Sequence, residues 1–187
     1  MTTDFHGLTF LTDPGRVFSP RPATEKLVDA ALDRIGDGPA RIADIGTGSG
    51  AIAITIALRV PAVEVWASDT CANALQLAAQ NAERLGAQVH LVNGDLLEGI
   101  PHDLDLIVAN LPYLTPDHTR YEDEPAKAVF STGDGLDHYR RLLAGAADHL
   151  ADDGGILIQF DGEVLEAERS ELPWLRGRLE SLVAAAA

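Results

Sequence analysis

Short apolar runs alternate with longer amphipathic stretches along most of the chain, and glycine, proline or polar residues mark each change. The apolar runs have the length and composition of buried strands, which we predict at residues 41–45, 63–69, 88–93, 104–109 and 155–160. The longer stretches predict helices at residues 25–35, 51–58, 71–85 and 135–151. This alternation predicts an α/β fold, a doubly wound and mostly parallel sheet with helices on both faces.

The two ends of the chain carry weaker patterns. We expect residues 1 to about 22 to be irregular and Thr24 to cap the first helix, while residues 164–172 predict a helix and residues 178–187 a further strand or a frayed tail. We expect one domain, residues 1–187. Its parts are an N-terminal segment and helix (1–40), a cofactor-binding core (41–163) and a C-terminal tail (164–187).

Composition places the chain among ordinary globular proteins, with 46% hydrophobic and 23% charged residues in 187. No apolar run reaches the length of a membrane span, and the first residues do not resemble a signal peptide. With a lone Cys71, these features predict a cytoplasmic protein without a membrane partner. The six histidines show no ligand spacing, so we expect no metal.

The net charge of −15 bears on the kind of partner. An acidic surface repels phosphates, so nucleic acid is disfavoured, and a protein or small-molecule substrate is easier to accommodate.

A glycine-rich turn over residues 46–50 follows the first predicted strand and opens a helix. Glycine there allows tight turns and close approach of the backbone to a ligand, and the first N–H groups of the helix would face that ligand. We interpret the turn as a nucleotide-type cofactor site. Because Gly46, Gly48 and Ala51 also satisfy the looser dinucleotide fingerprint, NAD and S-adenosylmethionine both remain open on this stretch.

Four polar residues lie at the ends of predicted strands, where ligands bind in such folds: Asp44, Asp69, Asp95 and Asn110. Asp69 could accept the ribose hydroxyls of a cofactor, and Asp95, beside Leu96, could accept a hydrogen bond from an adenine amino group. Each also has a structural alternative: a buried carboxylate for Asp44, a helix cap for Asp69 and a turn residue for Asp95.

The stretch Asn110-Leu111-Pro112-Tyr113 favours methyl transfer over hydride transfer. The Asn110 side chain offers a carbonyl acceptor, and the residue before a proline is held extended, which fixes the direction of its own carbonyl. Two converging acceptors beside an aromatic ring suit a planar NH₂ group, held with its nitrogen towards an electrophilic methyl.

Several motifs resemble one family. Asp44-Ile45-Gly46-Thr47-Gly48-Ser49-Gly50 is similar to the cofactor loop of class I S-adenosylmethionine-dependent methyltransferases, and Asn110-Leu111-Pro112-Tyr113 resembles their Asn-Pro-Pro-Tyr motif for methylating nitrogen. Residues 17–25, Glu124-Pro125 and residues 133–139 resemble signatures of the release-factor glutamine N5-methyltransferases.

This resemblance implies a Rossmann-like fold, S-adenosylmethionine as cofactor and a glutamine amide in the Gly-Gly-Gln loop of a release factor as substrate. Asn110 and the Leu111 carbonyl would grip the amide, with Pro112 and Tyr113 completing the motif, and Phe18, Pro20 and Arg21 would lie near the entrance. The expected cofactor-binding residues are Asp44, Gly46, Thr47, Gly48, Gly50, Asp69, Asp95, Leu96 and Asn110.

Three departures from the family pattern stand out. Leu111 replaces the first proline of the motif, the usual helical N-terminal domain is not seen, and the tail looks too short for a full final hairpin. A partner subunit in place of that domain stays open. So do two other functions: methylation of another amino nitrogen, on a nucleic-acid base or a metabolite, and a methyltransferase fold that binds a cofactor or partner without turnover.

Overall fold

A six-stranded sheet forms the centre of the computed structural model, which describes residues 1–115 and 124–186. The strands are β1 (Thr2–Phe5), β2 (Leu8–Leu11), β3 (Arg41–Ile45), β4 (Glu64–Asp69), β5 (His90–Asn93), β6 (Leu104–Ala109), β7 (Leu150–Phe160) and β8 (Glu163–Glu168). The helices are α1 (Pro22–Ile35), α2 (Ala51–Arg59), α3 (Ala72–Leu85), α4 (Ala126–Val129), α5 (Asp137–His149) and α6 (Leu172–Ala186), with a 3₁₀ turn at Arg169–Glu171.

The central sheet has the strand order β5-β4-β3-β6-β7-β8. The first five of these strands are parallel, and β8 pairs antiparallel with β7. The chain moves outward from β3 in one direction through β4 and β5 and then returns to β6 on the other side. Ligands bind beyond the carboxyl ends of the strands at such a reversal, here between β3 and β6.

Helices cover both faces of the sheet, as the alternation of strands and helices predicts. In β6, Leu106 and Val108 belong to the hydrophobic cluster that includes α1 and α2, while Ile107 and Ala109 belong to the cluster that includes α5 and α6. Successive residues of a strand point to opposite faces, so a strand buried on both faces is apolar throughout. This confirms the doubly wound, mostly parallel α/β fold.

The N-terminal prediction was partly wrong. Residues 1 to 22 were expected to be irregular, but β1 and β2 pair as an antiparallel hairpin with Phe5 opposite Leu8. His6 and Gly7 connect the strands with φ values of 51° and 76°, the left-handed backbone that two-residue hairpin turns require. Helix α1 also starts earlier than expected, at Pro22 with Arg21 as the N-cap, because proline tolerates the first helical position.

The C-terminal predictions were wrong as well. Residues 164–172 were expected to be helical, but residues 163–168 form β8, which pairs with β7 from Phe160↔Glu163 to Gly155↔Glu168. The turn is Asp161-Gly162, with φ values of 46° and 81°, so β7 and β8 form an antiparallel hairpin at the edge of the sheet. Residues 178–187 were expected to form a strand or frayed tail, but residues 172–186 form α6, whose first turn holds Pro173.

No helix in residues 1–115 and 124–186 is long and apolar enough to cross a membrane. We predict from the sequence a long connection over residues 111–134, and its residues 116–123 lie outside the described residues.

Candidate active site

A cavity of about 740 Å³ lies at the reversal point between β3 and β6. A volume of this size is typical of pockets for nucleotide-sized ligands. Most of the residues predicted for the site line it: Phe18, Pro20, Arg21, Gly46, Thr47, Gly48, Asp69, Asp95, Leu96, Asn110, Leu111, Pro112 and Tyr113. Asp44 and Gly50 are not among its lining residues. The structure therefore brings four strand ends and the N-terminal segment together around one space.

The glycine turn is held to the neighbouring strand β4 by backbone hydrogen bonds. The N–H groups of Gly46 and Thr47 both donate to the Ser68 carbonyl at 2.9 Å. Gly48, with φ 57°, has no atom within 4 Å of the place where a Cβ would stand, and it lines the cavity. The turn is therefore rigid where it meets the sheet and open where it faces the cavity, which fits a cofactor that lies against its backbone.

Asp44 supports the glycine turn from behind. Its Oδ2 accepts hydrogen bonds from the Thr47 hydroxyl at 2.6 Å and from the Ala53 N–H at 3.2 Å, and the side chain is fully buried. Within the described residues, its Oδ1 has no hydrogen-bond partner. Burial raises the pKa of Asp44 to about 7, since desolvation disfavours the charged carboxylate. The carboxyl group links the turn to the first turn of α2 and does not line the cavity.

This raised pKa makes the stability of the protein dependent on pH. The unfolded carboxyl ionises near its ordinary pKa of 3.8, whereas the folded one ionises near 7, so its contribution to stability is full below pH 3.8 and is lost as pH rises through 7. An Asp44→Asn variant carries no such proton. Between pH 5.5 and 8.5, we expect the wild type to lose about 2 kcal/mol of unfolding free energy relative to the variant. Urea unfolding of both proteins measures this, and a difference that does not change with pH would contradict it.

Asp69, at the end of β4, is predicted to bind the cofactor ribose. Its Oδ2 accepts the Gly48 N–H at 2.9 Å and its Oδ1 accepts the Cys71 N–H at 2.8 Å, so it joins the glycine turn to the start of α3. Burial raises the pKa of Asp69. The helix-cap alternative was wrong, because the N-cap of α3 is Cys71 and Asp69 lies two residues before it. Each carboxylate oxygen can accept a second hydrogen bond, so ribose binding stays a prediction compatible with these contacts.

Asp95 is predicted to bind an adenine amino group. The Arg141 guanidinium of α5 forms an ion pair with its Oδ2, and this pair holds the carboxylate at the cavity rim. The neighbouring Leu96 has a φ of 55°, and its carbonyl accepts a 2.7 Å hydrogen bond from the Ser68 hydroxyl. These contacts fix the Gly94–Leu96 turn against β4, and its cofactor contacts stay predictions.

Asn110, directly after β6, is oriented by a residue that the sequence indicated only as a helix cap. Its Nδ2 donates to the Thr24 hydroxyl at 3.1 Å, and Thr24 is buried in the first turn of α1. With its NH₂ group on Thr24, Asn110 retains its side-chain oxygen as an acceptor. Such an acceptor at the cavity wall suits a substrate that donates N–H hydrogens.

The rest of the Asn110–Tyr113 motif is held from α5 and β7. The Leu111 N–H donates to the Tyr139 hydroxyl at 3.1 Å, and that hydroxyl lies 2.5 Å from the backbone carbonyl oxygen of Gln159. Tyr113 packs against Phe160 with ring centroids 5.0 Å apart. Asn110, Leu111 and Tyr113 line the same cavity, and their contacts with a substrate stay predictions.

The N-terminal segment lines the cavity and is held by Glu124. Arg21 forms an ion pair with Glu124, whose side chain is 4% exposed, and the Ser19 N–H donates to the same carboxylate at 3.2 Å. The Arg21 guanidinium lies 5.4 Å from the centroid of the Phe18 ring. These contacts place Phe18, Pro20 and Arg21 at the cavity wall, and their part in substrate entry stays a prediction.

Sequence reasoning missed several residues of this site. Thr24, His138, Gln159 and Asp161 line the cavity without having been predicted for it. Gln159 donates from Nε2 to the Ala23 carbonyl at 2.8 Å, which fastens the end of β7 to α1. A usable signal existed for Gln159 and Asp161, because a polar residue at or directly after the end of a buried apolar strand repeats the pattern of Asp69 and Asn110.

The expectation of no metal stays a prediction. Over residues 1–115 and 124–186, no three His, Cys, Asp or Glu side chains lie close enough to hold an ion.

Comparison with known proteins shows the family and the fold of this chain. The methyltransferase small domain family matches residues 7–168 of this chain. The chain belongs to this family. Its fold is also that of a methyltransferase from Pyrococcus furiosus, with a TM-score of 0.61 at 23% identity over 83% of this chain and 71% of the other.

Among curated relatives of this methyltransferase-family chain, the release factor glutamine methyltransferase of Bordetella pertussis is 40% identical over 90% of this chain and 65% of its own length. The enzyme of the same name from Xylella fastidiosa is 44% identical over 82% of this chain and 58% of its own length. The chain therefore spans less than two thirds of these relatives.

Proposed function

We propose that this chain is an S-adenosylmethionine-dependent N-methyltransferase that acts on a glutamine side-chain amide of a peptide chain release factor. The single observation that carries the proposal is the placement of Asn110 and Leu111 at the wall of the same cavity that the glycine turn lines, on the neighbouring strand end. The names of the relatives at 40% and 44% identity support the choice of substrate.

The residues present fit the cofactor. Gly46 and Gly48 offer backbone without side chains at the cavity, and the start of α2 offers N–H groups. Asp69 and Asp95 offer carboxylates at and just beyond the ends of β4 and β5. When bound, S-adenosylmethionine would supply an electrophilic methyl carbon, with its sulfur as the leaving group. We assign Gly46, Thr47 and Gly48 to hold it.

The chain's own residues would act by orientation. The Asn110 side-chain oxygen and the Leu111 carbonyl accept the two hydrogens of the amide NH₂, and Tyr113 covers its plane. An amide nitrogen is a poor nucleophile, so its lone pair must be held in line with the methyl carbon and kept from water. The nitrogen gives up one proton to solvent as the methyl group is added.

The test is a transfer assay with labelled S-adenosylmethionine and a release factor that carries Gly-Gly-Gln. We expect label on the release factor with Gly-Gly-Gln and none on a control release factor in which that glutamine is changed to alanine. Equal label on both would reject the glutamine as the target, and label on neither would reject the release factor as the substrate.

A further inference from the structure

Leu111 stands at a position where the direction of a backbone carbonyl matters and where the residue itself restrains that direction little. A proline there would fix φ with its ring, whereas leucine keeps both rotation about φ and an N–H group. The following Pro112 restricts Leu111 only to extended conformations, a broad region. The direction of the Leu111 carbonyl must therefore be fixed by the contacts that the Leu111 peptide makes with its neighbours.

Those contacts converge on one hydroxyl group. The Tyr139 Oη accepts the Leu111 N–H at 3.1 Å and lies 2.5 Å from the Gln159 carbonyl and 3.3 Å from the Leu111 carbonyl. A hydroxyl has one proton, which goes to the nearer acceptor, Gln159. The Leu111 carbonyl oxygen is thereby left to accept from a substrate, while its N–H is fixed to α5 and, through the hydroxyl, to β7.

The Tyr139 ring has no room to move. It is 0% exposed and meets Phe160 edge-to-face, with centroids 6.0 Å apart and planes at 76°. Leu111 is itself buried, and its Cδ2 is the atom that would lie 2.8 Å from a Cβ on Gly46. Both ends of the hydrogen bond are therefore locked by packing, as a group that positions a reacting centre needs to be.

We propose that Tyr139 is a positioning residue for methyl transfer: its hydroxyl holds the Leu111 peptide and so aims the carbonyl that grips the substrate amide. In this chain the hydroxyl does by hydrogen bonding what the ring of a proline at position 111 would do by covalent restraint. The inference rests on the proposed function, because it needs a substrate that the Leu111 carbonyl contacts.

Tyr139→Phe tests the inference, since it removes the hydroxyl and keeps the ring. We expect kcat for the release factor to fall by about 10²-fold, as a misplaced contact does, with the KM for S-adenosylmethionine within about threefold because the glycine turn is untouched. In a chain that also carries Leu111→Pro, Tyr139→Phe should lower kcat by less than about fivefold, because proline has no N–H to leave unpaired and restrains φ itself.

Thr55→Val is the matched control. It also removes a fully buried hydroxyl, which donates to the Ala51 carbonyl at 2.7 Å inside α2, and it should leave kcat unchanged even if stability falls. Equal kcat losses for Tyr139→Phe and Thr55→Val would show that the Tyr139 hydroxyl has a merely structural role and would overturn the inference. This comparison tests the positioning role even if the Leu111→Pro chain does not fold.

Two failures can be told apart in the same assay. An active wild type with an equally active Tyr139→Phe variant overturns the positioning role alone. A wild type that transfers no label to the Gly-Gly-Gln protein overturns the proposed function and this inference with it.

Discussion

Asn110→Ala is expected to lower kcat for methyl transfer to a Gly-Gly-Gln release factor by about 10³-fold or more. The Asn110 side-chain oxygen is one of two acceptors for the substrate amide, and its direction is set by the 3.1 Å hydrogen bond from Nδ2 to the Thr24 hydroxyl. Without the Asn110 side-chain oxygen, the amide nitrogen of the substrate is free to turn away from the methyl carbon. The loss is large because orientation is the main source of rate enhancement here. The dissociation constant for S-adenosylmethionine should change only a few-fold, measured by calorimetry.

Asn93→Ala provides the control. Asn93 ends β5 as Asn110 follows β6, but it is exposed and does not line the cavity. This variant should keep wild-type kcat. If Asn110→Ala retained more than a tenth of the wild-type kcat, the role given to Asn110 would be wrong.

Gly135→Ala is expected to damage the site from a distance. Gly135 has a φ of 91°, and a Cβ there would lie 2.2 Å from the Tyr113 carbonyl oxygen. Backbone cannot yield as a flexible side chain does, so residues 113–115 would have to shift, although the Ser131 N–H ties Leu114 in place at 2.8 Å. We expect a loss of about 3 kcal/mol in unfolding free energy and at least about a tenfold loss of kcat.

Gly133→Ala separates the contact from the backbone conformation. Gly133 also has a positive φ, 63°, but a Cβ there meets nothing within 4 Å. Gly133→Ala should therefore lower the free energy of unfolding only by the cost of a non-glycine residue in the left-handed region, about 1–2 kcal/mol, and should keep its activity. Urea unfolding and kcat measured on both variants test this, and equal effects from the two substitutions would refute the contact with Tyr113 as the cause.

The central fold could be predicted from the sequence because its signal is local. The apolar runs at β3, β6 and the core of β7 leave no polar face, which is the pattern of strands covered on both sides. The candidate site followed from the same logic, since polar residues at the ends of neighbouring parallel strands meet at one edge of the sheet.

The errors at the two ends have common physical causes. Both missed hairpins turn on a residue followed by glycine, His6-Gly7 and Asp161-Gly162, with positive φ at both positions. Pro22 stands where the predicted irregular segment ends and Pro173 directly after the helix predicted at 164–172. Each lies instead in the first turn of a helix, where its missing N–H costs nothing. Turn and proline signals were present, but their meaning depended on whether partner strands and packing surfaces were near.

The sequence by itself determined the α/β fold class, the glycine turn and the motif from Asn110 to Tyr113, because each depends on residues adjacent in the chain. Only the tertiary structure decided which groups orient that motif. Thr24 of α1 accepts a hydrogen bond from Asn110, 86 residues away in the chain, and Tyr139 of α5 accepts one from Leu111, 28 residues away. Gln159 of β7 acts on Leu111 through the Tyr139 hydroxyl. Such contacts arise from packing, and no local pattern of polar and apolar residues encodes them.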